Sequence, residues 1–368
     1  MKLTKTLGCL LALMFSLSTG TVLNAAESMP QGECSSSGGL NFICGFSGPP
    51  EDLVLVPDTN WVVASAYLSQ EPINLYLVNT ENKAVTTLYG ANAGRDRFNR
   101  NRYGICPGVP DREHMETHGL AIQPQAGSET LFNLYAVSHG GRETIEVFEL
   151  NTGDAVPQIT WVGCVPMPAG LDANDVSVMR DGSILATVLM HPGKTFDDLL
   201  SGQPTGGVYR WTPGSEGFVM LEGSELPGNN GIQVSADESE IFVAASGLSA
   251  VVTLANSNPT RVLRRTRTLP FAPDNVVLDG NGYLLTAGMR DDEPVCVGTG
   301  LPPVSTCPRG TIAVSIHPLT MKDTTILDAT ANTAFSRATM AIVTGDNEVW
   351  IGSFGTARIA WQVLDETD

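Results

Sequence analysis

The sequence predicts an all-β fold, a single six-bladed β-propeller with four strands in each blade. A hairpin pattern recurs at six places along the chain, and no long amphipathic helical pattern lies between the copies. The chain also contains 38 Gly and 23 Pro residues, which suit the many turns of such a fold.

In each repeat, two short apolar strands flank a turn rich in Asp, Gly or Asn, as in residues 176–187 and 276–287. Further strand pairs follow, for example at 144–150, so the repeating unit has four strands. Successive units begin 45 to 67 residues apart, and they begin at Glu51, His118, Asn174, Asn230, Asn275 and Thr339. A pair of β-sandwiches stays open as an alternative, because strand spacing alone does not show that the strands close into a ring.

The first 26 residues resemble a cleavable export signal. Lys2 and Lys5 precede an apolar run from Leu7 to Leu23, and small residues follow it. We therefore expect a signal peptide at 1–26, an N-terminal segment at 27–48 and the propeller domain at 49–368. The mature protein would be secreted or periplasmic.

Six cysteines remain after the signal, an even number that favours disulfides in an oxidising compartment. Short separations favour Cys34 with Cys44 and Cys296 with Cys307. The remaining pair is then Cys106 with Cys164, although six cysteines allow fifteen connectivities.

The formal charge is −18, and the predicted signal contributes two lysines and no acid, so the mature chain carries −20. Such a charge disfavours binding to nucleic acid or to anionic lipid. After the signal, no stretch has the 18 apolar residues of a membrane span. We expect a monomer that acts on a small molecule.

In a propeller, the residues just before each inner strand converge on the central tunnel. Here those positions are rich in carboxylates and amides, the hard oxygen donors that Ca²⁺ prefers. Two carboxylates would balance the charge of one ion, and three amides would complete much of its shell. The predicted ligands are Glu51, Asn174, Asn230, Asp274 and Asn275. The adjacent Asn229 is an alternative to Asn230.

Two histidines are candidates for acid–base chemistry. His118 begins a unit and His139 ends the next strand, so strand pairing would bring them to the same mouth of the tunnel. His114 and His118 are spaced as in some zinc sites, but the Glu between them is misplaced and no helical periodicity surrounds them.

These pieces together resemble the paraoxonase (arylesterase) family and, more broadly, the gluconolactonase, senescence-marker and strictosidine-synthase-like propellers. The likeness lies in 51–53, 118–120, 137–139, 145–148, 174–176, 230–237 and 274–279. It implies two calcium ions. One, catalytic, is held by the five predicted ligands, and one, structural, is bound by Asp52, Asp175 and the carbonyl of Leu120.

The resemblance also implies that His118 and His139 activate water against a lactone or aryl ester whose carbonyl the metal polarises. Two alternatives stay open. One is a sugar lactonase of the gluconolactonase type with a single metal ion. The other is a non-catalytic propeller that calcium stabilises and that binds a partner.

Overall fold

A computed structural model describes residues 34–69, 71–291 and 309–364. Six β-sheets follow one another along the chain. Each innermost strand contacts the innermost strand of the next blade, and the sixth contacts the first. The sheets therefore close into a ring, which confirms the six-bladed propeller and excludes the pair of sandwiches. The proposed signal peptide and the pair Cys296 with Cys307 lie outside the described residues.

Five blades are consecutive antiparallel meanders, numbered from the inner strand outward. Blade 1 consists of β2 (Leu53–Leu55), β3 (Trp61–Ser65), β4 (Ile73–Asn79) and β5 (Val85–Gly90). Blade 2 consists of β7 (Glu116–Pro124), β8 (Leu131–His139), β9 (Thr144–Asn151) and β10 (Gln158–Pro166). Blade 3 consists of β11 (Val176–Val178), β12 (Ile184–Val188), β13 (Gly207–Trp211) and β14 (Val219–Met220). The next two consist of β15 (Asn229–Val234), β16 (Glu240–Ala245), β17 (Ala250–Ala255) and β18 (Val262–Arg265); and β19 (Val276–Leu278), β20 (Leu284–Met289), β21 (Thr311–Ile316) and β22 (Asp323–Ala329).

The sixth blade is closed by both ends of the chain. Its inner strands are β23 (Ala338–Val343), β24 (Glu348–Ser353) and β25 (Ile359–Val363), and its outer strand is β1 (Asn41–Ile43). Antiparallel pairing sets Asn41 opposite Trp361. Thus part of the 27–48 segment belongs to the ring.

Apart from a 3-10 turn at Ser246–Leu248, two elements of the described residues depart from the regular blade plan. A short strand, β6 (Arg95–Asp96), pairs in parallel with β10 and gives blade 2 a fifth strand. A single helical turn, α1 (Phe196–Leu200), leaves blade 3 between β12 and β13, and Thr195 begins it with a capping box. Both lie outside the inner strands that form the tunnel.

The inner strands alternate between two forms around the ring. In blades 2, 4 and 6 they contain a β-bulge at the same place, and the bulges span Thr117/Leu120, Asn229/Ile232 and Ala338/Ala341. In blades 1, 3 and 5 the inner strand is a regular three-residue segment. A bulge bends its strand and changes the direction in which its side chains point. It therefore gives His118 and Asn230, which lie within two of these bulges, an orientation that a regular strand would not.

Two disulfides join Cys34 to Cys44 and Cys106 to Cys164, as the sequence predicted. Such bonds favour an extracellular or periplasmic environment. Among the described residues, no helix has the length and apolarity that a membrane crossing requires.

Candidate metal centre

The predicted calcium ligands come from four blades and lie close together. Glu51 Oε1 accepts a hydrogen bond from Asn275 Nδ2 at 2.8 Å, which links blade 1 to blade 5. Asn230 of blade 4 is followed by Gly231, whose backbone N–H donates to the carbonyl of Asp274 in blade 5 at 2.7 Å. Asn174 of blade 3 accepts a backbone bond from Gly119, the residue after His118.

Four buried oxygens of this set have no hydrogen-bond partner within the described part of the chain. They are Glu51 Oε2, Asn174 Oδ1, Asn230 Oδ1 and Asn275 Oδ1. A buried acceptor without a partner costs about 1–3 kcal/mol, so four in one place point to an electropositive group between them. Carboxylate and amide oxygens together fit calcium better than they fit zinc.

The electrostatics of the carboxylates support the same conclusion. Burial raises the pKa of Glu51 to about 8, while the hydrogen bond from Asn275 acts in the opposite direction. Burial also raises the pKa of Asp274 to about 8, and the neighbouring Glu51 carboxylate adds to the shift. Two carboxylates in one buried place repel each other, and a divalent cation would remove that repulsion.

Asp52 and Asp175 form a second acidic pair beside this centre. Asp52 Oδ1 and Oδ2 accept from the backbone N–H groups of Leu53 and Leu120, at 2.8 and 2.5 Å. Asp175 repeats the pattern with Val176 and Ile232, both at 2.7 Å. Burial raises the pKa of both carboxyls well above the usual range, and for Asp175 the charge of Asp52 contributes next. Each carboxylate thus fastens its own blade to the next.

Glycine at two bulges makes room for these residues. A Cβ on Gly119 would lie 2.5 Å from Asp175 Cα and Oδ1, and a Cβ on Gly231 would lie 2.5 Å from Asn275 Cα. Neither distance is possible without displacing backbone. In blades 2 and 4 the glycine of the bulge therefore packs against a polar residue of the next odd blade, whereas the bulge of blade 6 contains Met340 at this position.

The two predicted histidines do meet. His118 Nδ1 lies 3.1 Å from His139 Nε2, and His118 Nε2 lies 3.5 Å from Glu51 Oε2. Burial lowers the pKa of His118 to about 3, with the nearby His139 as the second cause. The ring of His118 is therefore neutral, and it offers a lone pair rather than a charge.

Sequence reasoning missed two residues that contact this pair. Glu143 Oε2 lies 2.7 Å from His139 Nδ1. The ring of Tyr67 stacks on His118 with centroids 4.6 Å apart, and burial raises the pKa of its hydroxyl. No motif indicates Tyr67, whereas Glu143 follows His139 by four residues, across the turn between β8 and β9.

Asn229 and Leu120 are the remaining predicted positions. Asn229 accepts from the Leu226 N–H at 3.0 Å and donates to the Ser224 carbonyl at 2.9 Å. Both polar atoms of the Asn229 side chain are therefore bonded to nearby backbone groups, and this favours Asn230 as the candidate ligand. Leu120 reaches Asp52 through its backbone N–H.

Within the described residues, no three His, Cys, Asp or Glu side chains are grouped to hold a metal. The candidate centre differs from a group of that kind because three of its five predicted ligands are Asn side chains. A cavity of about 1080 Å³ between Gln123, Asn133 and Gly182 lies at the other end of blades 2 and 3. The buried polar residues and this cavity are therefore at opposite ends of these blades.

Solved structures with this architecture are similar to the chain. A luciferin-regenerating enzyme has 13% sequence identity and a TM-score of 0.52, over 88% of this chain and 92% of that one. A gluconolactonase from Xanthomonas campestris has 17% identity and a TM-score of 0.52, over 89% of each chain. At these identities the likeness supports the fold alone.

A search among curated proteins finds no significant match. The family model described as the SMP-30/Gluconolactonase/LRE-like region matches residues 111–297. The matched segment begins shortly before β7 and ends beyond β20, and it includes both histidines and four of the five predicted ligands. It covers just over half of the chain, which therefore belongs to the SMP-30/gluconolactonase/LRE-like family.

Proposed function

We propose that the protein is a calcium-dependent hydrolase of lactones or aryl esters, with a site like that of the paraoxonases. Membership of the gluconolactonase-like family supports a lactonase type of hydrolase at a coarse level. The observation that carries the finer proposal is the set of four buried oxygens from blades 1, 3, 4 and 5 that have no hydrogen-bond partner among the described residues.

The side chains of the candidate site would have separate roles in the reaction. Glu51, Asn174, Asn230, Asp274 and Asn275 would hold the catalytic ion. When bound, calcium would polarise the substrate carbonyl and stabilise negative charge on its oxygen. His118, neutral and 3.5 Å from Glu51 at its Nε2, would accept a proton from the attacking water.

Asp52 and Asp175, with the carbonyl of Leu120, would hold a second, structural ion. Both carboxylates already accept two backbone N–H bonds, yet each oxygen keeps a free lone pair. A single-metal lactonase of the same family is the nearest alternative. Measurement of bound calcium separates the two, because Asp52→Asn should lower the stoichiometry from two ions to one.

The test of the activity is a screen of aliphatic lactones and aryl esters with the metal-depleted protein, before and after calcium is added. We expect hydrolysis with calcium only, and a loss of about 10²- to 10⁴-fold in kcat for His118→Gln. Hydrolysis that persists after exhaustive chelation would contradict the proposal. Calcium binding without turnover of any substrate would favour the non-catalytic propeller.

The same proposal includes export, with residues 1–26 removed as a signal peptide. The disulfides support an oxidising environment. Amino-terminal sequencing of the protein from its native host should begin near Glu27.

A further inference from the structure

We infer that Glu143 is a positioning residue that fixes the tautomers of His139 and His118. It thereby keeps the lone pair of His118 Nε2 directed toward the candidate metal centre. The inference deepens the proposed function and rests on it for its catalytic consequence. Its structural core, the tautomer of each ring, does not depend on any activity.

The three side chains form one line of contacts. Glu143 Oε2 lies 2.7 Å from His139 Nδ1, and His139 Nε2 lies 3.1 Å from His118 Nδ1. At the far end, His118 Nε2 lies 3.5 Å from Glu51 Oε2, a buried oxygen with no hydrogen-bond partner in the described chain. Side-chain exposure falls along the line, from 34% at Glu143 to 18% at His139 and 13% at His118.

The chemistry of these groups determines which atom donates and which atom accepts in each hydrogen bond of the line. An ionised carboxylate only accepts hydrogen bonds, so Glu143 requires the proton of His139 to be on Nδ1. A neutral imidazole carries one proton, so His139 Nε2 is then an acceptor. His118 must therefore donate from Nδ1, and its own Nε2 is left with the lone pair.

The alternative direction leaves the site unable to accept a proton. If His139 were protonated on Nε2, it would donate to His118 Nδ1, and the proton of His118 would move to Nε2. A protonated Nε2 cannot take a proton from water. The acceptor-only character of the residue at 143 is thus what selects the useful state.

The local sequence explains why Glu143 reaches His139. β8 ends at His139 and β9 begins at Thr144, and the connection contains Gly140 and Gly141 with φ of 65° and 79°. Two successive residues with positive φ make a tight reversal that few side chains tolerate. The reversal returns the chain so that Glu143 lies beside the ring that ends the preceding strand.

An exposed His–Glu pair is often only a surface contact of small energy. Here the contact differs because the second nitrogen of the same ring is bonded to a second, less exposed histidine. His114 and Asp111 supply the contrast within this chain, since their pair at 2.8 Å is exposed on both sides and no second histidine of the described residues continues it.

The kinetic test compares Glu143→Gln, Glu143→Asp and the control Glu113→Gln in the full-length, calcium-loaded protein. The amide of Gln can donate as well as accept, so it no longer selects one tautomer, whereas Asp remains an acceptor. Glu113 is exposed and lies just before β7, so its variant controls for the lost charge. With a lactone substrate, we expect kcat of Glu143→Gln to fall about 10- to 100-fold while KM changes little. Glu143→Asp should retain more activity than Glu143→Gln, and Glu113→Gln should match the wild type.

The spectroscopic test reads the tautomers directly from histidine-selective ¹⁵N NMR, which is practical because the chain has only 5 His. We expect Nδ1 to be protonated in both His118 and His139 of the wild type, and this pattern to change in Glu143→Gln. Nε2 protonation of His139 in the wild type, or an unchanged pattern in Glu143→Gln, would overturn the inference. If the wild type hydrolyses no lactone or ester, the proposed function fails, and the NMR result still decides the role of Glu143.

Discussion

Glu51 and Asn275 are 224 residues apart in sequence and share a 2.8 Å hydrogen bond between Oε1 and Nδ2. The bond joins blade 1 to blade 5, although blade 6 lies between them in the ring. Thr339 of blade 6 bonds to the backbone of both, since it donates to the Glu51 carbonyl and accepts from the Asn275 N–H. The first and last thirds of the chain therefore meet at the candidate metal centre.

Calcium should stabilise the fold because its proposed ligands come from four blades. A ligand at a hundred times its Kd stabilises the native state by about 2.7 kcal/mol. We expect chelation to lower the midpoint of thermal unfolding, and calcium to restore it. Asn275→Ala should weaken the response, whereas Asn281→Ala, at an exposed turn, should leave it intact. A wild type that unfolds at the same temperature with and without calcium would contradict the proposed centre.

Substitution of the glycines that face the odd blades should disturb the ligands next to them. Gly119→Ala would push against Asp175, and Gly231→Ala against Asn275, each from 2.5 Å. Overpacking of this kind costs about 1–3 kcal/mol, and it should also weaken calcium binding as measured by calorimetry. Gly280→Ala is the control, because no atom lies within 4 Å of its added Cβ. Normal calcium affinity in both variants would show that the close approach is dispensable.

Tyr67 should act through its ring, which stacks on His118. An aromatic contact contributes about 0.5–1.5 kcal/mol, so Tyr67→Ala should lower kcat/KM for a lactone by about two- to tenfold. Tyr67→Phe keeps the ring and should remain close to the wild type. Tyr283→Ala removes a comparable contact with His317, 5.5 Å between centroids, at a site distant from the metal centre. Equal losses for Tyr67→Ala and Tyr67→Phe would assign the effect to the hydroxyl instead.

The two disulfides should differ in their contribution to stability. Cys106–Cys164 closes a loop of 58 residues and Cys34–Cys44 one of 10, and loop-closure entropy gives about 4 and 3 kcal/mol respectively. Denaturant unfolding of Cys106→Ala/Cys164→Ala and of Cys34→Ala/Cys44→Ala measures both losses. Reduced wild-type protein, which keeps all the sulfur atoms, controls for the cavities that alanine creates. A larger loss for the shorter loop would mean that ordering of the segment around β1 outweighs loop length.

The fold was predictable because each blade repeats the same local chemistry. Alternating apolar residues around Asp, Gly and Asn turns specify hairpins locally, and the polar residues before the inner strands mark where the blades begin. The structure places Glu51, Asn230 and Asn275 together as that reasoning required. Disulfide partners close in sequence were equally accessible from loop length.

Other features depend on contacts that sequence spacing does not reveal. The pairing of β1 with β25 joins opposite ends of the chain, so no local pattern records it. Gly119 and Gly231 have ordinary backbone angles and owe their identity to neighbours in the next blade. Glu143 resembles any solvated acid until the reversal at Gly140 sets it beside His139.

A chain made from its amino end releases β1 before the other described strands and β25 after them, so blade 6 cannot be completed until the other five blades have been made. During that interval β1 has an unpaired edge, which other chains can join. Moving residues 34–48 to a position after β25 would bring the two pairing strands next to each other in sequence, and it should raise the yield of soluble protein on expression.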